Sequence, residues 1–415
     1  MRKKLAILFS IISVFFLSFP AFASEGEKGK VDVKGNIFHH LGDGYGWEVP
    51  FSHTYRIPLP VIIRAEDGSW HCFSSGRLVK YEEHTDAETG KTHTVAVPQI
   101  VTISKGDWPD RYRFVLAHTS KHKDKVVQLI PTSPTDEAEA ERIAKAQNDE
   151  IVDGYVKFDG KYYKEYKPFD ISITKNVLAL FIAAALVTWM VMGLVRFYAR
   201  KGFKAPRKGM GFLELCVDFI YSGVIKSTLG DKAPKFAPYL LTAFFFILVM
   251  NLLGLIVIFP GGANLTGNIA ITLVLAVMTF VITNINGNKH YWKEVFWPDV
   301  PLFLKFPLPI MQIIEIFGLF TKPAALCVRL FANMMGGHMI VITLTLLIFI
   351  FAAYGAAVAG VSAVVSLLFS IFMLLLDTLV SFIQAYVFTL LSTIFISMAV
   401  HEEHDEHTKH AIDEI

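Results

Sequence analysis

The stretch LCVRLFANMMGGHMI, residues 326–340, carries an arginine, Arg329, within an almost wholly apolar run. Arginine stays protonated at every biological pH, so it can hold a negative charge in place but cannot carry a proton away. An arginine on a lipid-embedded helix costs about 2.5–3.5 kcal/mol on insertion scales. A charge kept at such a cost indicates a functional site if the segment lies in a membrane.

Further polar side chains lie in the same apolar run, residues 308–353. At about 100° per helical residue, Asn333 lies four residues after Arg329 and shares its face. His338 lies nine residues after Arg329 and points the opposite way. The spacing therefore predicts that the arginine and the histidine face different surroundings. Glu315, fourteen residues before the arginine, adds an acid near the start of the segment.

The last apolar segment carries a polar stripe. Asp377, Ser381 and Gln384 are spaced i, i+4 and i+7, so a helix puts them on one face. Lipid does not solvate such a stripe, which predicts that it lines water or a partner. Ser381, Thr378 and Asn333 taken singly stay open to a structural interpretation, because hydroxyl and amide groups often bridge packed helices. A simple buried ion pair would need one acid rather than this distributed set.

The composition indicates the membrane setting: 53% of residues are hydrophobic and 18% are charged. Five long hydrophobic segments follow residue 172, and each can cross a hydrocarbon core that needs about 20 helical residues. The last two exceed an upright span, which predicts long helices that are strongly tilted, broken or both. Pro323 and the Gly336-Gly337 pair are places where the fourth segment could bend. The segments are 176–197, 237–259, 268–286, 308–353 and 361–400. The sequence thus predicts a polytopic α-helical membrane protein.

The N-terminus and the loop charges predict the orientation. Residues 1–23 combine a basic head, a short apolar core and AFA, which is typical of a signal peptide; an uncut signal anchor is the alternative. Lys and Arg cluster after the first and third segments, whereas PGGANLTGN and YGAAVAG have none. By the positive-inside rule, the N-terminal region is outside the cytoplasm and the C-terminus inside.

The flanking regions carry weaker signals. Residues 24–172 show mainly β alternation, with Asp159-Gly160 predicting a hairpin turn, and one helix is predicted in SPTDEAEAERIAKAQ. The histidines of this region lack metal-ligand spacing, and we assign the region no role.

Residues 401–415 form an acidic, His-rich cytoplasmic tail that we interpret as solvated, with metal chelation as the alternative. The net charge of +2 indicates no nucleic-acid partner, and we expect no cofactor and no resident metal.

Four stretches carry a resemblance to a known family. RLFANMMGGH resembles the arginine motif of subunit a of F-type ATP synthases, with Ala332 where glycine is usual. IQAYVFTLLSTIFISMA resembles the final helix of that family, and FAPYLLTAFFFILVMNLLGL and NIAITLVLA resemble its second and third spans. The resemblance covers roughly residues 205–404 and leaves out the N-terminal region.

The resemblance implies a non-catalytic stator that conducts protons to and from a rotating ring of c subunits through two offset half-channels. The expected partners are this ring, the b-subunit peripheral stalk, the other ATP synthase subunits and the lipid bilayer of a bacterial inner membrane. The implied proton-translocation residues are Arg329 facing the ring, His338 with Asp377 as the outer relay, Gln384 and Asn333 beside the arginine, and Glu315 in the inner half-channel. For Glu315, an interfacial pair with Lys322 is the alternative.

Two functions from other protein classes are alternatives to this interpretation. A secondary transporter would use Arg329 as an anion-substrate site, but such proteins usually carry internal repeats and the arginine motif has no second copy here. An intramembrane hydrolase would need a nucleophile and base at credible spacing, which the sequence lacks. Whether the coupling ion is H⁺ or Na⁺ stays open, because the ring would carry the binding carboxylate.

Overall fold

The structure is a computed structural model, and it describes residues 42–48, 56–85, 92–105, 108–117, 125–131, 155–158, 161–202, 206, 209–256, 263–296, 310–352 and 356–400. The described residues form two compact units, one up to Ala179 and one from Leu180 onward. The expected signal peptide, the helix expected after Ser133 and the C-terminal tail lie outside the described residues.

The first unit consists of antiparallel strands. The strands are β1 (Gly46–Glu48), β2 (Arg56–Pro58), β3 (Pro60–Arg64), β4 (Trp70–Ser74), β5 (Val79–Thr85), β6 (Thr92–Pro98), β7 (Val101–Lys105), β8 (Trp108–Leu116), β9 (Val126–Pro131), β10 (Tyr155–Phe158), β11 (Lys161–Tyr166) and β12 (Phe169–Asp170). A three-stranded sheet has the order β12-β3-β4, a five-stranded sheet the order β10-β11-β9-β8-β7, and β1-β2 and β5-β6 form two-stranded ribbons. The predicted pairing across Asp159-Gly160 is confirmed, with Phe158 opposite Lys161.

The core of the first unit is aromatic. Phe114 is fully buried, and its ring lies 5.6 Å from the rings of both Phe73 and His71. His71 is 6% exposed and its ring centroid lies 4.3 Å from that of Tyr112, so it is a core histidine. On β3, Val61 and Ile63 alternate with outward-facing residues, as expected for a sheet with one buried face.

We expect Phe114→Ala to destabilise this unit by about 3–5 kcal/mol, because it removes a fully buried ring and leaves a cavity. Urea-dependent pulse proteolysis of the full-length chain measures the free energy of unfolding. The matched control is Ile57→Ala, since Ile57 is 40% exposed and should change stability by less than about 0.5 kcal/mol. Equal effects of the two substitutions would contradict the assignment of Phe114 to the core.

The first unit holds the beginning of the first helix. The amide of Lys175 donates to the Gly44 carbonyl at 2.9 Å, and the amide of Asn176 donates to Asp43 Oδ1 at 3.2 Å. The Tyr45 hydroxyl donates to Asp170 Oδ2. Burial, followed by this hydrogen bond, raises the pKa of Tyr45 above its usual range, so the phenol keeps its proton. These bonds fix the chain between β12 and the helix.

The predicted hydrophobic segments correspond to helices. They are α1 (Lys175–Lys201), α3 (Ala233–Leu255), α4 (Ile269–Ile285), α6 (Ile310–Ala352) and α7 (Ala356–Val400), while α2 (Gly209–Ile220) and α5 (Lys289–Phe296) lie between them. Among the described residues four helices are long and apolar enough to cross a membrane, or up to five if a bent pair counts as one span. This confirms a polytopic helical membrane protein.

The bent pair is α4 with α5, which meet at 108°. Helix α4 has 17 residues and is therefore about 26 Å long, slightly less than a hydrocarbon core of about 30 Å. Asn268 caps its N-terminus, because its side chain accepts a hydrogen bond from the Ala270 amide. The third predicted segment is thus the shortest of the five.

Residues 211–230 are mildly amphipathic and lie between basic loops, which predicts an interfacial helix on the cytoplasmic face. This helix does not stand alone. Helix α2 continues through a π-helical segment, Tyr221–Lys226, and two short turns into α3. Gly230 in the second turn has φ of 54°, a conformation that favours glycine. Gly209–Leu255 therefore forms one apolar helical stretch of 47 residues. Its location at the membrane surface stays a prediction.

Helices α6 and α7 have 43 and 45 residues and run about 65 Å and 68 Å. Helix α6 continues through Pro323 and the Gly336-Gly337 pair, so the break that those residues made possible does not occur. Helix α7 packs along α6 and α3, and α6 also packs against α4. Phe244 of α3 and Phe388 of α7 are fully buried in this packing.

Candidate functional site

Several polar residues of α6 and α7 line a small cavity between these helices and α3. The cavity has room for about one water molecule. Four site residues predicted from two segments are brought together here: Asn333 and His338 from α6, and Asp377 and Gln384 from α7. The remaining lining residues are Asn251, Leu330, Met334, Gly337, Val380 and Ser381.

Arg329 lies outside this cavity. Its side chain is exposed on the surface of α6, next to Val328, which is 56% exposed. Within the described residues, Arg329 makes no hydrogen bond or ion pair. The same helix therefore presents an arginine on its outer surface and a histidine to the cavity between the helices, as the spacing of nine residues predicted.

Asn333 and Gln384 connect the two helices. The Asn333 side-chain amide donates to Gln384 Oε1 at 2.6 Å. Gln384 is 4% exposed, whereas Asn333 reaches the surface one helical turn from Arg329. The bond therefore runs from the cavity wall to the face that carries the arginine.

Asp377 lies directly over the backbone of Gly337. A β-carbon added to Gly337 would be 2.6 Å from Asp377 Oδ1 and 2.8 Å from Oδ2, so glycine is the residue that leaves room for the carboxylate. By contrast, a β-carbon on the neighbouring Gly336 would meet nothing within 4 Å. The close approach of α6 and α7 at this point depends on Gly337.

His338 presents an unsatisfied polar atom to the cavity. Its Nε2 is buried and, among the described residues, has no hydrogen-bond partner. Buried polar atoms are usually hydrogen-bonded, so an unpaired nitrogen here indicates a bound water or a functional role. A carboxylate and an unpaired imidazole nitrogen therefore line one cavity, which is a chemistry suited to proton transfer.

Glu315 lies elsewhere, in the first turns of α6. It is half-buried. Lys322 lies over the ring of Phe395, with Nζ 5.9 Å from the centroid. No ion pair joins Glu315 to Lys322 in the described helices, which disagrees with the pairing considered as an alternative.

The cavity wall includes one residue that sequence reasoning missed. Asn251 of α3 is 2% exposed, accepts a hydrogen bond from Thr266 Oγ1 at 2.7 Å and donates to the Ser381 carbonyl at 3.4 Å. The available signal was an asparagine inside the apolar run FAPYLLTAFFFILVMNLLGL, since amides are costly there. Thr266 gave no local signal, because it lies in the loop before α4.

Comparison with known proteins gives the family. A family model described as ATP synthase A chain matches residues 177–397, more than half of the chain. The chain belongs to this family. ATP synthase subunit a of Chloroherpeton thalassium is 43% identical over 251 residues, which cover 59% of this chain and 72% of that protein. ATP synthase subunit a of Chlorobium phaeobacteroides (strain DSM 266) is 42% identical over 247 residues, covering 58% of this chain and 68% of the relative.

Family membership makes this chain a multi-pass membrane subunit of ATP synthase that takes part in proton transport, as the resemblance of the arginine motif implied. The matched residues 177–397 include the cavity and most of each of the four helical stretches that could cross a membrane. A second model, for a domain of unknown function (DUF8433), matches residues 36–153. The ATP synthase family match therefore leaves out most of the β unit.

Proposed function

We propose that this subunit is the stator that conducts protons through two offset half-channels to and from a rotating ring of c subunits. One observation carries the proposal: α6 exposes Arg329 on its surface while it directs His338 into a cavity that Asp377 also lines. Protons that move down the membrane potential would release about 2.3 kcal/mol per charge per 100 mV, and this free energy would drive the rotation of the ring. ATP formation would occur on other chains, so this chain is non-catalytic.

Arg329 faces the ring in this proposal. A neighbouring guanidinium lowers the pKa of a carboxyl group and so favours the ionised form of each ring carboxylate. Because arginine does not release its proton, its fixed charge also prevents protons from passing directly between the half-channels. The exposure of Arg329, and the absence of a partner for it in the described residues, support this role.

His338 and Asp377 form the relay of the outer half-channel in this proposal. Histidine exchanges a proton near neutral pH, and the carboxylate offers a second proton-binding group on the facing helix. A single water in the cavity would connect them. Gln384 and Asn333 support the polar wall beside Arg329, and Glu315 serves the inner half-channel.

The proposal extends to the setting of the subunit. Residues 24–172 lie outside the cytoplasm, residues 173–400 form the proton-channel domain of a bacterial inner membrane, and the tail is cytoplasmic. The partners are the c-subunit ring, the b-subunit peripheral stalk and the remaining ATP synthase subunits. Neither a cofactor nor a nucleic acid is needed for the proposed mechanism.

The experiment that tests the proposal uses the complex purified through an affinity tag on this chain. We expect a small, very apolar, ring-forming subunit to co-purify, and ATP hydrolysis to acidify reconstituted vesicles. A protonophore should abolish the acidification without stopping hydrolysis. A purified chain without such a ring, which instead transports a small anion, would favour the transporter alternative.

Gly337→Ala should strongly reduce ATP-driven proton pumping. Its β-carbon would contact Asp377 Oδ1 at 2.6 Å, so the carboxylate or the whole helix must shift. A displacement of about 1 Å at a reacting group can cost about 100-fold in rate. Gly336→Ala is the matched control, because that position is open, and it should pump normally. Similar pumping by both variants would contradict the role of this contact.

Thr266→Val should remove the hydrogen bond to Asn251 in the cavity wall while nearly keeping the volume of the side chain. Loss of the hydroxyl leaves Asn251 Oδ1 buried and unpaired, which costs about 1–3 kcal/mol and frees the amide to rotate. We expect slower pumping and a lower melting temperature, both restored by Thr266→Ser. Thr283→Val is the control, since that hydroxyl donates only to the Thr279 carbonyl of its own helix. Normal pumping by Thr266→Val would exclude a role for Asn251 orientation.

A further inference from the structure

The three-stranded sheet of the first unit has apolar residues on both faces. Its inner face is buried, with Val61 and Ile63 fully buried and Phe73 6% exposed. An antiparallel sheet with one buried face normally presents polar residues on the other. Here the outer face is mainly apolar, and we name it the outer apolar face: Ile62, Arg64, Trp70, Cys72, Phe169 and Ile171.

The outer apolar face is exposed and aromatic. Trp70 is 50% exposed, Phe169 is 64% exposed and Ile171 is 52% exposed. Phe169 lies opposite Arg64, and Arg64 lies opposite Trp70, so the three form one row across the sheet. The rings of Trp70 and Phe169 meet edge to face at 6.3 Å. A contiguous exposed apolar patch of this kind marks an interaction site.

This face is continuous with the first membrane helix. After β12, the amide of Ile171 donates to the Ile62 carbonyl at 3.0 Å, and the amide of Ile173 donates to the Pro60 carbonyl at 3.2 Å. Lys175, the first residue of α1, is itself hydrogen-bonded to Gly44. Ile171 precedes the helix by four residues, or at most about 14 Å of extended chain. The face is therefore held close to the point where the chain enters the membrane.

We propose that the outer apolar face lies in the interfacial region of the phospholipid bilayer that α1 enters. Aromatic side chains at the end of a membrane helix favour the headgroup level. Arg64 supplies the complementary charge, because a guanidinium binds lipid phosphate. The Arg64 Nε donates to the Gly68 carbonyl at 3.1 Å, which holds the guanidinium at the rim of the face. The proposal depends neither on the proton path nor on the side of the membrane.

Cys72 provides a native probe of this surface. It is a free, exposed cysteine on the outer apolar face, whereas Cys216 and Cys327 are buried. The full-length chain would be labelled at Cys72 with an NBD fluorophore and reconstituted into vesicles of phosphatidylethanolamine and phosphatidylglycerol. We expect several-fold stronger quenching by headgroup nitroxide lipid, and weaker quenching by iodide, than for the same label in a Cys72→Ser, Lys164→Cys variant. Lys164 is exposed on β11, in the other sheet.

A second variant tests the aromatic residues directly. Trp70→Glu with Phe169→Glu should lower the lipid quenching of the Cys72 label towards the control value. The labelled protein without these substitutions decides the proposal even if the double variant does not fold. Iodide access at Cys72 equal to that of the Lys164→Cys control would overturn the proposal. Shielding that occurs only in the assembled ATP synthase, and not in vesicles of this chain alone, would overturn it too, since a protein partner would then cover the face.

Discussion

Arg329→Ala should abolish ATP-driven acidification of membrane vesicles while the complex still assembles. A nearby cation lowers a carboxyl pKa by about 1–3 units, so removing it changes the ratio of ionised to protonated ring carboxylate by roughly 10- to 1000-fold. The exposed position of Arg329 predicts that this loss comes without unfolding, because no hydrogen bond or ion pair within the described residues depends on the side chain. Pumping and hydrolysis measured on the same vesicles separate coupling from assembly.

Two further substitutions make this experiment specific. Arg329→Lys keeps a positive charge but replaces the planar guanidinium with an ammonium that can lose its proton. We expect ATP-driven pumping to be severely impaired in this variant too. Val328→Ala removes a side chain of comparable exposure from the next position and should leave pumping intact. The passive proton leak should rise in Arg329→Ala, because the barrier between the half-channels is gone. Wild-type coupling in Arg329→Ala would make the arginine structural and revive the transporter alternative.

Asp377→Asn and His338→Ala should each slow proton pumping, by about 100-fold if the relay is rate-limiting. Asparagine keeps the shape of Asp377 over Gly337 but cannot bind and release a proton at neutral pH. His338→Ala removes the buried Nε2 from the cavity wall. The initial rate of acidification measures both variants, and the double variant tests the coupling between them.

A shared pathway predicts that the double variant is little slower than the worse single variant, because the steps are in series. The control is Ser366→Ala on the same helix, since Ser366 is buried but its hydroxyl has no hydrogen-bond partner among the described residues. It should pump normally. Unchanged rates in both relay variants would remove the cavity from the proton path and leave it a structural feature.

Helical periodicity alone predicted that the arginine and the histidine lie on opposite faces of α6. Nine residues at about 100° each put Arg329 and His338 on opposite faces, and the structure has one exposed and the other lining the cavity. The same rule put Asp377 and Gln384 on one stripe, and both line that cavity. These outcomes were predictable because helical geometry relates residues close in sequence, and the hydrophobic runs were long enough to be helices.

Other features were not accessible to this reasoning. The π-helical segment and the turns between α2 and α3 join two stretches that looked separate in the sequence. The pair of glycines at 336 and 337 indicated a bend, but α6 stays continuous, and the structure uses Gly337 to admit a carboxylate. A glycine signals a close approach or a flexible backbone equally well, and only the neighbouring helix decides between them.

The sequence by itself determined the apolar segments, their helical type, the faces of the polar residues within each helix and the family of the chain. The tertiary structure decided that α3 contributes Asn251 to the cavity, that Thr266 orients it, and that a sheet preceding α1 carries an apolar outer face. Helical period and apolar content are local properties of the chain. The contacts between Asn251, Thr266 and Ser381 join residues far apart in sequence, and they depend on how the helices pack.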